Sequence, residues 1–116
     1  MLTLSPAVRI YVATGATDLR RSIDGLVAVV REQFQLDPLS GHWFLFRNRR
    51  GDRVKLLAWD QSGFWLCYKR LEQGTFAWPG DDQGTPVAIR SSELLLLLTG
   101  VDLAQTRRRR WYERVA

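Results

Sequence analysis

From Trp43 to Trp78 the chain alternates apolar runs with polar tetrads that each end in glycine. Trp43 to Arg47, Arg53 to Trp59 and Phe64 to Arg70 are rich in aromatic and branched residues, and Thr75 to Trp78 is a shorter fourth run. Such runs read as strands. The separators are Asn48-Arg49-Arg50-Gly51, Asp60-Gln61-Ser62-Gly63 and Leu71-Glu72-Gln73-Gly74. Each has the form of a three-residue hairpin loop, a type I turn whose glycine takes positive φ and forms a bulge. Asn or Asp at the first position suits such a turn; the third tetrad, with Leu there, fits it least well.

These loops predict a register. Arg47 falls opposite Arg53 and Phe44 opposite Leu56; Trp59 faces Trp65 and Lys55 faces Lys69; Arg70 faces Phe76 and Tyr68 faces Trp78. Because strand side chains alternate, one face then collects Phe44, Phe46, Val54, Leu56, Ala58, Leu66, Tyr68, Phe76 and Trp78, a core face. The other collects Trp43, Leu45, Arg47, Arg53, Lys55, Leu57, Trp59, Trp65, Cys67 and Lys69, mixing indoles with cations.

Upstream, Val8 to Val12 alternates as a strand whose partner the sequence does not name, and Gly15 breaks the pattern. Thr17 or Asp18 offers a helix N-cap. Leu19, Ile23, Leu26, Val27, Val30 and Phe34 then form one apolar stripe at helical period, ended before Pro38. Downstream, Pro79 to Pro86 reads as a surface loop, Val87 to Ile89 as a short edge strand, and Glu93 to Thr99 as a second helix capped by Ser91 or Ser92 and closed by Gly100. Its five consecutive leucines predict burial on several sides. The expected fold class is α+β: an antiparallel β-meander of about four strands plus an N-terminal strand, with helices packed on one face. The expected division is a single domain over 1–105 and a basic C-terminal tail over 106–116.

Charge changes the picture more than size does. The 116 residues hold 17 Lys and Arg against 12 Asp and Glu, a net +5, and fifteen of the cations are arginine. That balance favours an acidic partner, nucleic acid first, and arginine suits bidentate phosphate contact. One cysteine allows no internal disulfide and no thiolate metal set; Cys67 is expected to be an inert packing residue. No charged segment followed by an apolar run opens the chain, and the apolar run Leu94 to Leu98 is too short to span a bilayer. A cytoplasmic protein without membrane contact is expected.

Three places carry candidate chemistry. The Trp/Arg/Lys face, with Lys55, Lys69, Trp59 and Trp65, suits nucleic acid through cations on phosphate and indoles on bases. Equally, Trp43, Trp59 and Trp65 on one face suit a protein partner. The first turn, with Arg47, Arg49, Arg50 and Arg53, is a compact basic tip able to meet successive phosphates or simply to protect a sheet edge. The Arg107 to Arg110 run reads as a nucleic-acid arm or as a segment that packs Trp111 and Tyr112 on the domain. For catalysis the chain is poor. His42 is the only histidine. Asp18, Asp24, Asp60 and Glu93 are the carboxylates from which a metal-dependent phosphodiester-cleaving site would have to be built, but Asp18 has a capping role, Asp60 a turn role and Glu93 a place in a helix's first turn. No phosphate loop, zinc spacing or dinucleotide fingerprint is present. No enzyme activity, cofactor or metal is expected.

Thr17-Asp18-Leu19-Arg20-Arg21 with Ile23-Asp24-Gly25-Leu26, then Asp37-Pro38 and Ser40-Gly41-His42, together with Phe46 to Lys55, Trp59-Asp60, Gly63-Phe64-Trp65, Tyr68 to Glu72 and Phe76 to Pro79, resemble the TnpB-type accessory proteins of bacterial insertion sequences of the insertion-sequence 66 family. The likeness covers nearly the whole chain, with Ser22 where glycine is expected. It implies a protein encoded beside a separate acidic-triad transposase, needed for efficient transposition and without defined catalysis. Two readings follow: a DNA-binding factor using the basic face and tip, or a scaffold docking the transposase through its indoles without touching DNA.

Overall fold

The computed structural model describes residues 2–80 and 85–100. Strand β1 (Ile10–Ala16) leads through helix α1 (Ile23–Ala28) and a π-helical turn (Val29–Gln33) to β2 (Trp43–Arg47), β3 (Arg53–Trp59) and β4 (Phe64–Arg70), then to β5 (Val87–Ile89) and helix α2 (Ser91–Thr99). The five strands form one sheet in the order β4-β3-β2-β1-β5. Only the β1–β2 pair is parallel. A parallel pair needs a crossover, normally helical, and α1 with its π turn supplies it. The fold is α+β, as the sequence predicts, with β5 at one edge pairing antiparallel to β1. The expected N-terminal strand starts slightly later and runs through Gly15, with an irregularity after Val12.

The meander is present as β2, β3 and β4, but both hairpins are one residue out of the expected register. Arg47 pairs with Val54 and Phe44 with Leu57; Lys55 pairs with Tyr68 and Ala58 with Trp65. In the first hairpin Gly51 does take positive φ (77°), yet Asp52 joins the loop because Asn48 binds its carboxylate and the next main-chain N–H, that of Arg53. In the second, Asp60 N–H donates to the Gly63 carbonyl (3.1 Å) and Gln61 carries the positive φ (84°), so the loop has only two residues. There Asp60 Oδ1 accepts from the N–H groups of Ser62 and Gly63. The third tetrad makes no hairpin. Leu71 N–H donates to the Asp52 carbonyl and Phe76 N–H to the Gly51 carbonyl, which carries the chain across the end of the β2–β3 hairpin. Phe76 and Trp78 therefore face neither Arg70 nor Tyr68.

A one-residue slip exchanges the faces of a strand, and the slips re-sort the sheet. One face holds Ile10, Val12, Trp43, Leu45, Val54, Leu56 and Ala58, packed with Phe76, Trp78, Leu94 and Leu97. The opposite face holds Tyr11, Phe44, Phe46, Leu57, Phe64 and Leu66, packed with Leu26, Val29 and Val30. Both faces are cores, so the helices lie on opposite sides rather than one. The α1 stripe behaves as expected, but the helix starts late: Asp18 closes a turn by accepting the Arg20 N–H (3.0 Å), and Ser22 stands at the N-cap without a side-chain bond. The second helix buries Leu94 and Leu97 only; Leu95 is 69% exposed, against the expectation for its leucine run. Cys67 is exposed as well, not packed. The Arg107 to Arg110 run and the expected domain boundary at 105–106 lie outside the described residues.

The chain leaving the meander is held down on β1. Trp78 Nε1 donates to the Ala13 carbonyl (2.6 Å), and Gly80, at φ 93°, lies directly on Thr14. A Cβ at residue 80 would sit 2.8 Å from Thr14 Cβ. Gly80→Ala combines that overlap with a strained backbone, and the expected loss is about 2–4 kcal/mol. Urea unfolding should show a lowered midpoint with an unchanged slope; a wild-type midpoint would contradict the close approach.

Candidate nucleic-acid interface

With both sheet faces covered, exposed cations gather at one end of the sheet, where two connections meet. The first is the β2–β3 hairpin. Asn48 ties its base together: Oδ1 accepts the Arg53 N–H (3.0 Å) and Nδ2 donates to Asp52 Oδ1 (2.7 Å). The Asn48 amide, and after it the charges of Arg50 and Arg53, hold the Asp52 carboxyl below the usual carboxylate range. A tied base and a left-handed Gly51 leave Arg49 and Arg50 at the top, both exposed, with Arg53 exposed at the start of β3. None of the three has a carboxylate within ion-pair distance among the described residues.

The second connection is the turn between β1 and α1. Thr17 N–H donates to the Arg47 carbonyl (2.8 Å), pinning the turn beside the hairpin. Asp18 then grips Arg20 through Nε (3.0 Å) and Nη2 (2.8 Å). The Arg20 hydrogen bonds hold the Asp18 carboxyl well below its ordinary value, at about 2. Underneath, Lys55 Nζ donates to the carbonyls of Leu19 (2.6 Å) and Arg21 (2.9 Å) and lies 5.6 Å from the Tyr68 ring centre. Between the two connections opens a cleft of about 480 Å³ lined by Thr17, Asp18, Arg20, Asn48, Arg49, Arg53 and Tyr68. Its rim is cationic, its floor partly aromatic, and it is open to solvent. Chemically it can receive a phosphate chain.

Of the residues singled out from sequence, Arg49, Arg50 and Arg53 stand together at this end. Arg47 does not join them as a free cation: it is half-buried and donates to the carbonyls of Thr14 (3.3 Å) and Asn48 (3.4 Å). Lys55 and Lys69 are not neighbours. The true register puts them on opposite faces, Lys55 under the β1–α1 turn and Lys69 against α2, where Nζ donates to the Leu98 carbonyl (2.6 Å). Each neutralises unpaired carbonyls, Lys69 at the negative end of a helix. The three indoles do not share a surface. Trp43 packs in the α2-side core, Trp59 meets Phe64 edge-on at 5.0 Å, and Trp65, on the other face from Trp59, is 43% exposed with Nε1 donating to Asp60 Oδ2 (2.6 Å). Sequence reasoning missed Arg20 because it placed it in a helix; a non-helical turn brings Arg20 to the cleft, with Arg21 exposed next to it in the chain. Arg70 lies opposite Arg53 and turns to Glu72 instead (2.8 Å).

Among the described residues no three His, Cys, Asp or Glu side chains come together to hold a metal ion. Asp18 is bound to Arg20, Asp60 to Trp65 and its own loop, and Glu93 to Arg90. No helix of the described residues is long and apolar enough to cross a membrane. The Asp18–Arg20 grip is measurable directly. A carbon-detected NMR titration should place Asp18 near 2, and Arg20→Ala should return it towards 3.8. Since the folded value lies below the unfolded one, whatever stability the pair adds is present above pH 3.8 and fades as pH falls towards 2. An Asp18 midpoint unmoved by Arg20→Ala would remove this account of the turn.

Residues 8–108 match the family described as "IS66 Orf2 like protein". A 102-residue stretch is 40% identical to the protein y4hO of Sinorhizobium fredii (strain NBRC 101917 / NGR234), covering 88% of each chain. A 109-residue stretch is 38% identical to y4jC of the same organism, covering 94% of this chain and 92% of that one. Both relatives are described as uncharacterized. No solved structure matches. The family is an accessory, non-catalytic one, which suggests a supporting role in insertion-sequence transposition. With most of its length matched, the chain belongs to the IS66 Orf2-like, TnpB-type family.

Proposed function

We propose that this protein assists transposition by holding DNA against the basic end of its sheet, across Arg49, Arg50 and Arg53 of the hairpin and Arg20 and Arg21 of the β1–α1 turn. The observation that carries the reading is the local imbalance of charge. Asp18 is offset by Arg20, and Asp52, held by the neutral Asn48 amide, sets one negative charge against the three positive charges of Arg49, Arg50 and Arg53. Arg49, Arg50 and Arg53 stay exposed and without an ion pair among the described residues. Exposed guanidiniums in excess of the nearby carboxylate are suited to phosphate oxygens. Contacts of this kind fix a protein on the backbone without reading sequence, which fits an accessory factor acting beside a separate transposase.

The scaffold reading, in which the chain docks the transposase without touching DNA, needs three indoles sharing a face. Trp43, Trp59 and Trp65 occupy three different environments instead, and only Trp65 is substantially exposed. No comparable observation favours it.

Binding of element-end duplex should weaken steeply with salt. Replacing Arg49, Arg50 and Arg53 together by alanine should reduce the slope of log K against log salt by about 2–3, near 0.9 for each phosphate no longer neutralised. Lys55→Met is the internal contrast: without its bonds to Leu19 and Arg21, urea unfolding should show a deficit of about 1–3 kcal/mol, while the salt slope stays that of the wild type. No binding at low salt to duplex or single strand, or an unchanged slope in the triple variant, would overturn the proposal.

A further inference from the structure

The two edges of the sheet differ sharply. At one edge β5 has three residues, a short strand that offers little to pair with. At the other, β4 runs for seven residues, Phe64–Arg70, in a ladder with β3 that has no bulge. Among the described residues nothing pairs with its outer side. A long, regular, open edge is a template for another strand.

The parity of the ladder says which groups face outward. Asp60 N–H donates to the Gly63 carbonyl at one end, and Leu71 N–H to the Asp52 carbonyl at the other. Hydrogen-bonded pairs alternate along an antiparallel ladder, so residues 65, 67 and 69 direct their main-chain groups to β3. Phe64, Leu66, Tyr68 and Arg70 direct theirs away from the sheet.

The side chains of this strand are self-complementary. Its first half is apolar, Phe64-Trp65-Leu66; its second is aromatic and cationic, Tyr68-Lys69-Arg70; Cys67 is the midpoint. We infer that β4 pairs antiparallel with β4 of a second copy of this chain about a two-fold axis at Cys67, making one continuous sheet across the dimer. In that register all outward main-chain groups find partners, giving about eight hydrogen bonds. Trp65 lies opposite Lys69 of the second copy and Phe64 opposite Arg70, the rings covering the aliphatic stems of cations whose charged ends stay on Leu98 and Glu72, and Leu66 lies opposite Tyr68. A shift that moved the axis to Lys69 would set two like-charged Lys69 side chains directly opposite each other. The exposure of Trp65 (43%), Tyr68 (53%) and Cys67 is what an uncovered self-pairing edge presents. The pairing shares Tyr68 with the cleft but uses none of Arg49, Arg50 and Arg53, and it does not depend on the DNA-binding proposal.

The axis residue makes the test direct. Two Cys67 residues would face each other as a non-hydrogen-bonded pair, with Cα atoms about 4.5 Å apart, within reach of a disulfide. Sedimentation equilibrium at about 100 μM protomer should return twice the 13.4 kDa chain mass. Brief oxidation of the native protein should yield a covalent dimer, and dilution in urea before oxidation should prevent it. Cys67→Glu, which sets two carboxylates face to face while leaving an exposed position in the single chain, should halve the mass with the circular dichroism and melting temperature of the protomer kept. A wild-type monomer at that concentration, a Cys67→Glu protein that is still dimeric, or a dimer whose Cys67 thiols do not cross-link faster than in urea would each overturn the inference.

Discussion

The parallel pairing of β1 with β2 governs the rest of the molecule. It places the first strand in the interior of the sheet, between β2 and β5, rather than at the end of a simple meander. The chain must then cross the sheet twice. The first crossing, from β1 to β2, carries α1 over the Phe44, Phe46 and Leu57 face; the second, from β4 to β5, carries Phe76 and Trp78 over the Leu45, Val54 and Leu56 face. Each crossing has to bury apolar surface to offset the entropy of ordering it. Among the described residues both faces of the sheet are packed from β1 to β3, and β4 at the edge keeps exposed side chains.

That constraint explains why local order was legible from the sequence and its sidedness was not. Strands β2 to β4, the α1 stripe, β5 and α2 all follow from periodicity and from turn residues. Register did not follow, because Gly51 fixes where positive φ falls but not whether Asp52 belongs to the loop or the strand; Asn48, reaching over its own hairpin, decides that. In the second hairpin Asp60 accepts from Ser62 and Gly63, and the strain moves to Gln61. Alternation could not correct either slip. Trp43-Phe44-Leu45-Phe46 is apolar at every position because both of its faces are buried, the condition under which a strand loses its period-two signature. The pairing of β1 was beyond reach for a different reason: it joins segments more than thirty residues apart, and no local turn chemistry encodes it.

The candidate site was half legible for the same reason. Arg49, Arg50 and Arg53 lie in a turn or at its edge, and a turn's exposure does not depend on strand register. Lys55, Lys69, Trp59 and Trp65 lie in strands, and the slips scattered them to opposite faces. Arg20 reaches the cleft only because the helix begins at Ile23, once Asp18 has closed a turn of its own.

A count of basic residues overstates what this surface offers to DNA, since the fold uses several of its cations internally. Lys55 draws the carbonyls of Leu19 and Arg21 onto the sheet, Lys69 neutralises the end of α2 at Leu98, and Arg47 bridges β1 to the hairpin through Thr14. Each donates to main-chain carbonyl oxygens, and a buried carbonyl left unpaired is costly. What distinguishes a binding cation from a structural one is therefore whether backbone oxygen reaches it first. At the hairpin tip the glycine turn directs Gly51 N–H to the Asn48 carbonyl and Phe76 N–H to the Gly51 carbonyl. Backbone there is satisfied by backbone, and the guanidiniums of Arg49, Arg50 and Arg53 stay exposed, as the proposed contact with phosphate requires.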